Sequence, residues 1–99
     1  MNMKLNYDYK VPSGKLLRLA LDVEGETINS IQICGDFFIH PEDSICALED
    51  SLKGVRLDKE LMKEKLSEAI KENNVELFGV DEEAIAQAII NAVNSGSDE

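Results

Sequence analysis

Ile31-Gln32-Ile33-Cys34-Gly35-Asp36-Phe37-Phe38-Ile39-His40-Pro41-Glu42 is the stretch where strand-like sequence gives way to helix-like sequence. Ile31 to Cys34 alternates apolar residues with polar or small ones, as a half-buried strand does. Gly35 permits a backbone bend that a β-branched residue would resist. Asp36 carries an acceptor-only side chain suited to holding nearby backbone amides. Pro41 suits the first turn of a helix, where its missing N–H costs nothing. Adjacent residues at a strand end point in opposite directions, so one of Phe37 and Phe38 is expected to pack under the first helix and the other to face outward.

Upstream of this junction the pattern is all strand. Leu5, Tyr7, Tyr9 and Val11 alternate with polar residues over 3–11, and Pro12-Ser13-Gly14 reads as a turn. Leu17, Leu19, Leu21 and Val23 alternate with Arg18, Ala20, Asp22 and Glu24, the clearest strand of the chain. Glu24-Gly25-Glu26 reverses the chain, and Thr27 to Cys34 returns. Ile28 falls out of phase with Ile31 and Ile33, which predicts a bulge or a late strand start. Short turns between successive strands imply an antiparallel meander.

Downstream the period changes to that of helices. Pro41 to Lys53 places Ile45, Leu48 and Leu52 on one stripe, ended by Gly54. Asp58 is positioned to cap a second helix to about Glu72, with Leu61, Met62, Leu66, Ala69 and Ile70 inward. Asn73-Asn74 ends it, and Val75 to Gly79 reads as a short apolar connector, one turn of helix in length. Asp81 caps a third helix to about Val93, burying Ile85, Ala88, Ile89, Ala92 and Val93. The expected fold is α+β: a three-stranded antiparallel meander followed by about three helices packed on one face. The other sheet face is left for solvent or a partner.

The 99-residue chain carries twenty acidic against ten basic side chains, a formal charge of −10. Nucleic acid and anionic membrane both require cationic groups at the contact, so neither is an expected partner. No run approaches the ~18 apolar residues of a membrane span, and the polar N-terminus lacks a secretory signal pattern. A cytoplasmic protein is expected. Two cysteines, Cys34 and Cys46, are too few for a disulfide scaffold and are read as reduced, small core residues.

Several of these segments together carry a family resemblance. Lys10-Val11-Pro12-Ser13-Gly14-Lys15-Leu16, then Gly35-Asp36-Phe37-Phe38, Pro41-Glu42, and Leu48-Glu49 through Leu52-Lys53-Gly54 follow one another at spacings that resemble the accessory domain of lipoate–protein ligases. The resemblance runs over about residues 8–93, and the ordered set rather than any single motif carries it. The chain itself reads as one domain over 1–93 with a flexible tail over 94–99. The resemblance also implies a fold similar to iron–sulfur scaffold and sulfur-acceptor proteins.

As the family works, lipoate is activated with ATP to lipoyl-adenylate and passed to a lysine of an acceptor domain. The resemblance therefore implies a non-catalytic accessory subunit of a two-component ligase. ATP, Mg²⁺ and lipoate would be held by the catalytic subunit, which is the direct partner, with the lipoyl acceptor domain an indirect one. Lys10, Lys15, Gly35, Asp36, Phe37 and Phe38 are the expected partner interface.

The residues themselves support no independent catalysis: one histidine, no Gly-rich phosphate loop, no Ser/His/Asp set. The rival constellation is Cys34, His40 and Cys46 with Asp36 between them, because thiolate and imidazole suit zinc or an iron–sulfur cluster. Cys34-Gly35-Asp36 also resembles a ligand motif of the scaffold proteins. Against it, the later Cys and His-Cys ligands of that pattern have no match downstream. Ile45-Cys46 lies on the helix's apolar stripe, consistent with burial, and Phe37-Phe38 would crowd the site.

Overall fold

A computed structural model describes residues 2–12 and 14–96; Met1, Ser13 of the expected Pro12-Ser13-Gly14 turn, and 97–99 of the expected tail lie outside them. The elements run β1 (Asn2–Lys10), β2 (Leu16–Glu24), β3 (Thr27–Gly35), β4 (Phe38–His40), α1 (Ser44–Ser51), α2 (Lys59–Glu72), β5 (Glu76–Phe78) and α3 (Glu82–Gly96). β1, β2 and β3 form the antiparallel meander, in that order. The alternation of β2 sends Leu17, Leu19, Leu21 and Val23 into the core, with Ile28, Ile31 and Ile33 beside them from β3. Ile28 reaches this face because the register slips between Asp22 and Val23, which pair with Ser30 and Ile28 and leave Asn29 as the extra residue. Of the two readings open to the out-of-phase isoleucine, a bulge or a late strand start, the structure shows the bulge.

The helices fold back over this apolar face. α1 lies over β3, α3 over β1 and β2, and α2 packs against both helices. Leu48 and Leu52, Met62, Leu66 and Ala69, and Ile85, Ala88, Ile89 and Ala92 close the core; Ile45, Leu61, Ile70 and Val93 sit half-buried at its margin. Asp58 caps α2 by accepting from the Glu60 and Leu61 amides at 3.0 and 3.3 Å. The Asp81 carboxylate accepts from Ala84 N–H at 2.8 Å at the start of α3. Both aspartates hold amides that an open helix end would leave unpaired. Among the described residues no helix is long and apolar enough to cross a membrane.

Five local expectations are corrected. Val75 to Gly79 is not a helical turn: Glu76–Phe78 is a strand, β5, paired with β4 in a second, two-stranded sheet. Three residues are too few for either period to declare itself. Pro41 does not start a helix. It follows a cis His40–Pro41 bond, its carbonyl accepts from Ser44 N–H at 3.0 Å, and α1 begins only at Ser44. α1 also ends at Ser51, short of Lys53. Cys34 and Cys46 are exposed rather than core. Cys34 lies one residue past Ile33, on the opposite face of β3. The buried stripe of α1 runs through Ser44, Leu48 and Leu52, leaving Cys46 off it. At the other end, α3 continues through Asn94 and Ser95 to Gly96, beyond the expected Val93.

Candidate functional site

The two segments singled out as a partner interface lie side by side at one end of the sheet. Lys10 pairs with Leu16, and Leu17 pairs with Tyr9 on one side and Gly35 on the other. The hairpin between β1 and β2 is closed by Val11 N–H to Lys15 O at 2.9 Å and Gly14 N–H to Val11 O at 2.8 Å. Asp36 N–H then donates to Leu16 O at 2.9 Å, fastening the junction to the same strand end. Gly35 is required here. Its φ is +148°, and a Cβ would run into the Leu16 carbonyl oxygen; close backbone approach and positive φ both favour glycine. The role given to Asp36 thus passes, in the structure, to its backbone amide.

Beyond the junction the chain enters the β4–β5 ribbon. Phe37 is half-buried and packs against the core, whereas Phe38 is 71% exposed. Phe38 stands directly across from Phe78, which is 55% exposed. Cross-strand partners share a face, so the two rings lie on one side of the ribbon with exposed His40 and Glu76. Ile39 and Leu77 line the other side, half-buried against the core. Among the described residues Phe38 and Phe78 are the exposed large hydrophobics. Water pays no reward for leaving two such rings out, and a paired aromatic patch at a loop-rich end is characteristic of a protein contact.

The hairpin and the ribbon meet at Gly79. A Cβ placed there would lie 3.1 Å from Lys15 Cγ and 3.6 Å from Phe37 Cβ. Lys15 therefore lays its aliphatic stem along the Gly79 backbone beside Phe37, while the residue remains exposed. Lys10 is exposed at the end of β1. A cleft of about 490 Å³ continues the surface, between Tyr9, Val11 and Pro12 on the hairpin side and Gly79, Asp81 and Glu83 on the other. Lys10, Lys15, Gly35, Asp36, Phe37 and Phe38 thus form one neighbourhood.

Phe78 and Gly79 complete that neighbourhood without having been singled out from sequence. Their signal in the sequence is an aromatic and a glycine in a polar–apolar–aromatic run, which reads as a connector until β4 is seen to pair with it. The rival metal constellation gains no support from the structure: both thiols are exposed, His40 lies on the ribbon, and the described residues hold no group of three His, Cys, Asp or Glu able to hold a metal ion.

Comparison with known proteins gives concordant results. The chain is 46% identical over 59 residues to lipoate-protein ligase A subunit 2 of Thermoplasma acidophilum, a match covering 60% of this chain and 62% of that relative. It also superposes on a chain in the solved structure of an archaeal lipoylation system, a bi-partite lipoate protein ligase and its E2 lipoyl domain from the same organism. There the TM-score is 0.75 with 36% identity, covering 90% of this chain and 97% of the other. The family model of the bacterial lipoate protein ligase C-terminus matches residues 1–89. With nearly its whole length matched, the chain belongs to the lipoate protein ligase C-terminus family.

Proposed function

We propose that this protein is a non-catalytic accessory subunit of a two-component lipoate–protein ligase, acting in the cytoplasm as one half of a heterodimer. It docks on the catalytic subunit through the Lys10–Leu16 hairpin, the Gly35–Phe38 junction and the aromatic face of the β4–β5 ribbon. Lipoate, ATP and Mg²⁺ are held by the catalytic subunit, and the lipoyl acceptor domain is met indirectly. The accessory subunit supports ATP-dependent activation of lipoate to lipoyl-adenylate by ordering catalytic loops and keeping water from a reactive mixed anhydride.

The observation that carries this reading is the fold-wide likeness to a chain of a bi-partite lipoate protein ligase, 36% identical over nearly that chain's whole length. The exposed Phe38–Phe78 pair beside Lys15 supplies the docking surface. No observation favours a metal or cluster scaffold over it.

Reconstitution tests it. The chain is mixed with the catalytic subunit of a two-component ligase, lipoate and Mg-ATP, and adenylate formation is followed. The chain alone should form no lipoyl-adenylate, and its addition should raise the rate of the activation step. It should matter less when preformed lipoyl-adenylate is supplied, because activation is then bypassed. Full activation without this chain would overturn the reading.

A further inference from the structure

The meander has two edges, and the fold treats them differently. At β3, Ile28 N–H donates to Val55 O at 2.9 Å, Gly54 N–H to Ile28 O at 2.7 Å, and Leu57 N–H to Glu26 O at 2.8 Å. Thr27 forms a bridge with Arg56, and Ile33 N–H donates to Glu49 Oε2 at 2.8 Å. That edge is covered by the segment after α1 and by a carboxylate from α1 itself. At β1, by contrast, nine residues pair continuously with β2, from Asn2 opposite Glu24 to Lys10 opposite Leu16. Among the described residues, no backbone hydrogen bond reaches β1 from any other part of the chain. β1 holds no proline and its register has no bulge, two of the devices that blunt an edge. A long, regular row of outward amides and carbonyls is a template for another strand.

The sequence of β1 specifies which strand fits. Laid antiparallel to itself about Asn6, it sets Lys4 opposite Asp8 and, by symmetry, Asp8 opposite Lys4; Leu5 then faces Tyr7, and Met3 faces Tyr9. Lys4, Asn6 and Asp8 are exposed on the outer face, so both charged pairs fall on the wet side. Met3, Leu5, Tyr7 and Tyr9 are only half-buried, although their β2 partners Val23, Leu21, Leu19 and Leu17 are fully buried. The core therefore stops short at β1, and a second copy of these four residues would extend it. Charge agrees. In a chain of formal charge −10, β1 carries Lys4 and Lys10 against Asp8 alone, so the copies meet where they are least acidic.

We propose that the β1 edge is a self-association surface, on which a second copy of this chain adds its own β1 antiparallel about Asn6. The three-stranded meander becomes one six-stranded sheet across a two-fold axis, with the helices of both copies on the same side. The contact is isologous, as closed dimers require. It is separate from the aromatic ribbon face assigned to the catalytic subunit, meets the hairpin of that assignment only at Lys10, and does not depend on that assignment.

Charge exchange tests both the surface and its register. Self-association of the purified chain is measured by sedimentation over a concentration series, alongside Lys4→Glu and Asp8→Lys. Each variant places like charges opposite one another twice, which should weaken the dimer roughly tenfold. A mixture of the two variants pairs Glu with Lys and Asp with Lys at the same positions, and should dimerise more tightly than either variant alone. Both residues are exposed, and circular dichroism of each variant verifies that it is folded. A chain that stays monomeric at every concentration would overturn the proposal. So would a dimer indifferent to both substitutions, or a mixture no better than its components. Weakened binding of the catalytic subunit by Lys4→Glu, with no self-association in the parent chain, would give the edge to that subunit instead and overturn it too.

Discussion

Phe38 and Phe78 leave 71% and 55% of their surfaces exposed, although each could have been a smaller or polar residue without cost to the core. They stand opposite each other across the ribbon, outside the buried core. Truncating either to alanine should therefore cost no more than about 1 kcal/mol, the scale of one cross-strand pair. For a domain of this size that lowers the melting temperature by no more than about 8 °C. The same substitutions should greatly reduce stimulation of the catalytic subunit. Thermal unfolding and adenylation assays on the same preparations separate the two effects. A folded Phe38→Ala with full stimulation would remove the ring from the interface. Gly35 is the opposite kind of residue: any side chain there meets the Leu16 backbone, so its substitution should damage fold and function together.

Among the elements, β3 depends on a side chain from α1 for its edge. Glu49 Oε2 accepts from Ile33 N–H at 2.8 Å in a partly buried setting. A hydrogen bond to a charged acceptor contributes more than a neutral one, so Glu49→Ala should destabilise the chain by about 1–2 kcal/mol. Glu49→Gln keeps an acceptor oxygen and should recover most of the loss. Urea midpoints at unchanged slope are the measure, and equal losses in the two variants would show that packing, not the hydrogen bond, is at stake. α2 and α3 are joined differently. Lys63 Nζ donates to Glu83 Oε1 at 3.2 Å and lies 3.9 Å from Glu60 Oε2. The hydrogen bond to Glu83, followed by the Glu60 charge, raises the Lys63 pKa above its ordinary 10.5 against a smaller opposing effect of burial. A raised folded pKa means the stabilisation is complete below pH 10.5 and disappears as pH climbs through the higher folded value. Lys63→Met should thus melt below the parent at neutral pH, and the gap should close in strongly alkaline buffer. A gap independent of pH would assign the difference to the lost aliphatic contacts.

The whole molecule is strongly acidic, yet the hairpin end of its sheet carries two cations, exposed Lys10 at the end of β1 and Lys15 packed at Gly79 beside Phe37. Any partner approaching that end meets the cations at short range and the net negative field at long range. Reversing both, as Lys10→Glu with Lys15→Glu, should weaken binding of the catalytic subunit more than Lys53→Glu with Lys71→Glu. The two double variants change the net charge equally, so the comparison isolates position from the long-range field. Titration calorimetry at low and high salt reads the difference, and equal losses would move the interface elsewhere.

Local chemistry was enough to determine much of this protein from sequence. The period-two run of Leu17 to Val23, the helical stripes through Leu48, Leu66 and Ile89, and the Asp58 and Asp81 caps each state their structure within a few residues. Hydrophobic periodicity and capping are properties of neighbours along the chain. Even the bulge was legible as one of two alternatives, because Ile28 is out of phase with its own strand; the register against β2 decided between it and a late start. The ordered Lys10–Leu16 and Gly35–Phe38 segments also announced the family. Only the tertiary structure decided the rest. β4 and β5 are three residues each and lie far apart in sequence, too short for a period and defined only by pairing with each other. Phe78 consequently becomes a surface aromatic only once Phe38 is opposite it. Cys34 and Cys46 are exposed because the bulged strand and the helix present other residues inward. The open edge of β1 is likewise a fact of topology: identical backbone groups are satisfied or unsatisfied according to which strand the chain folds beside.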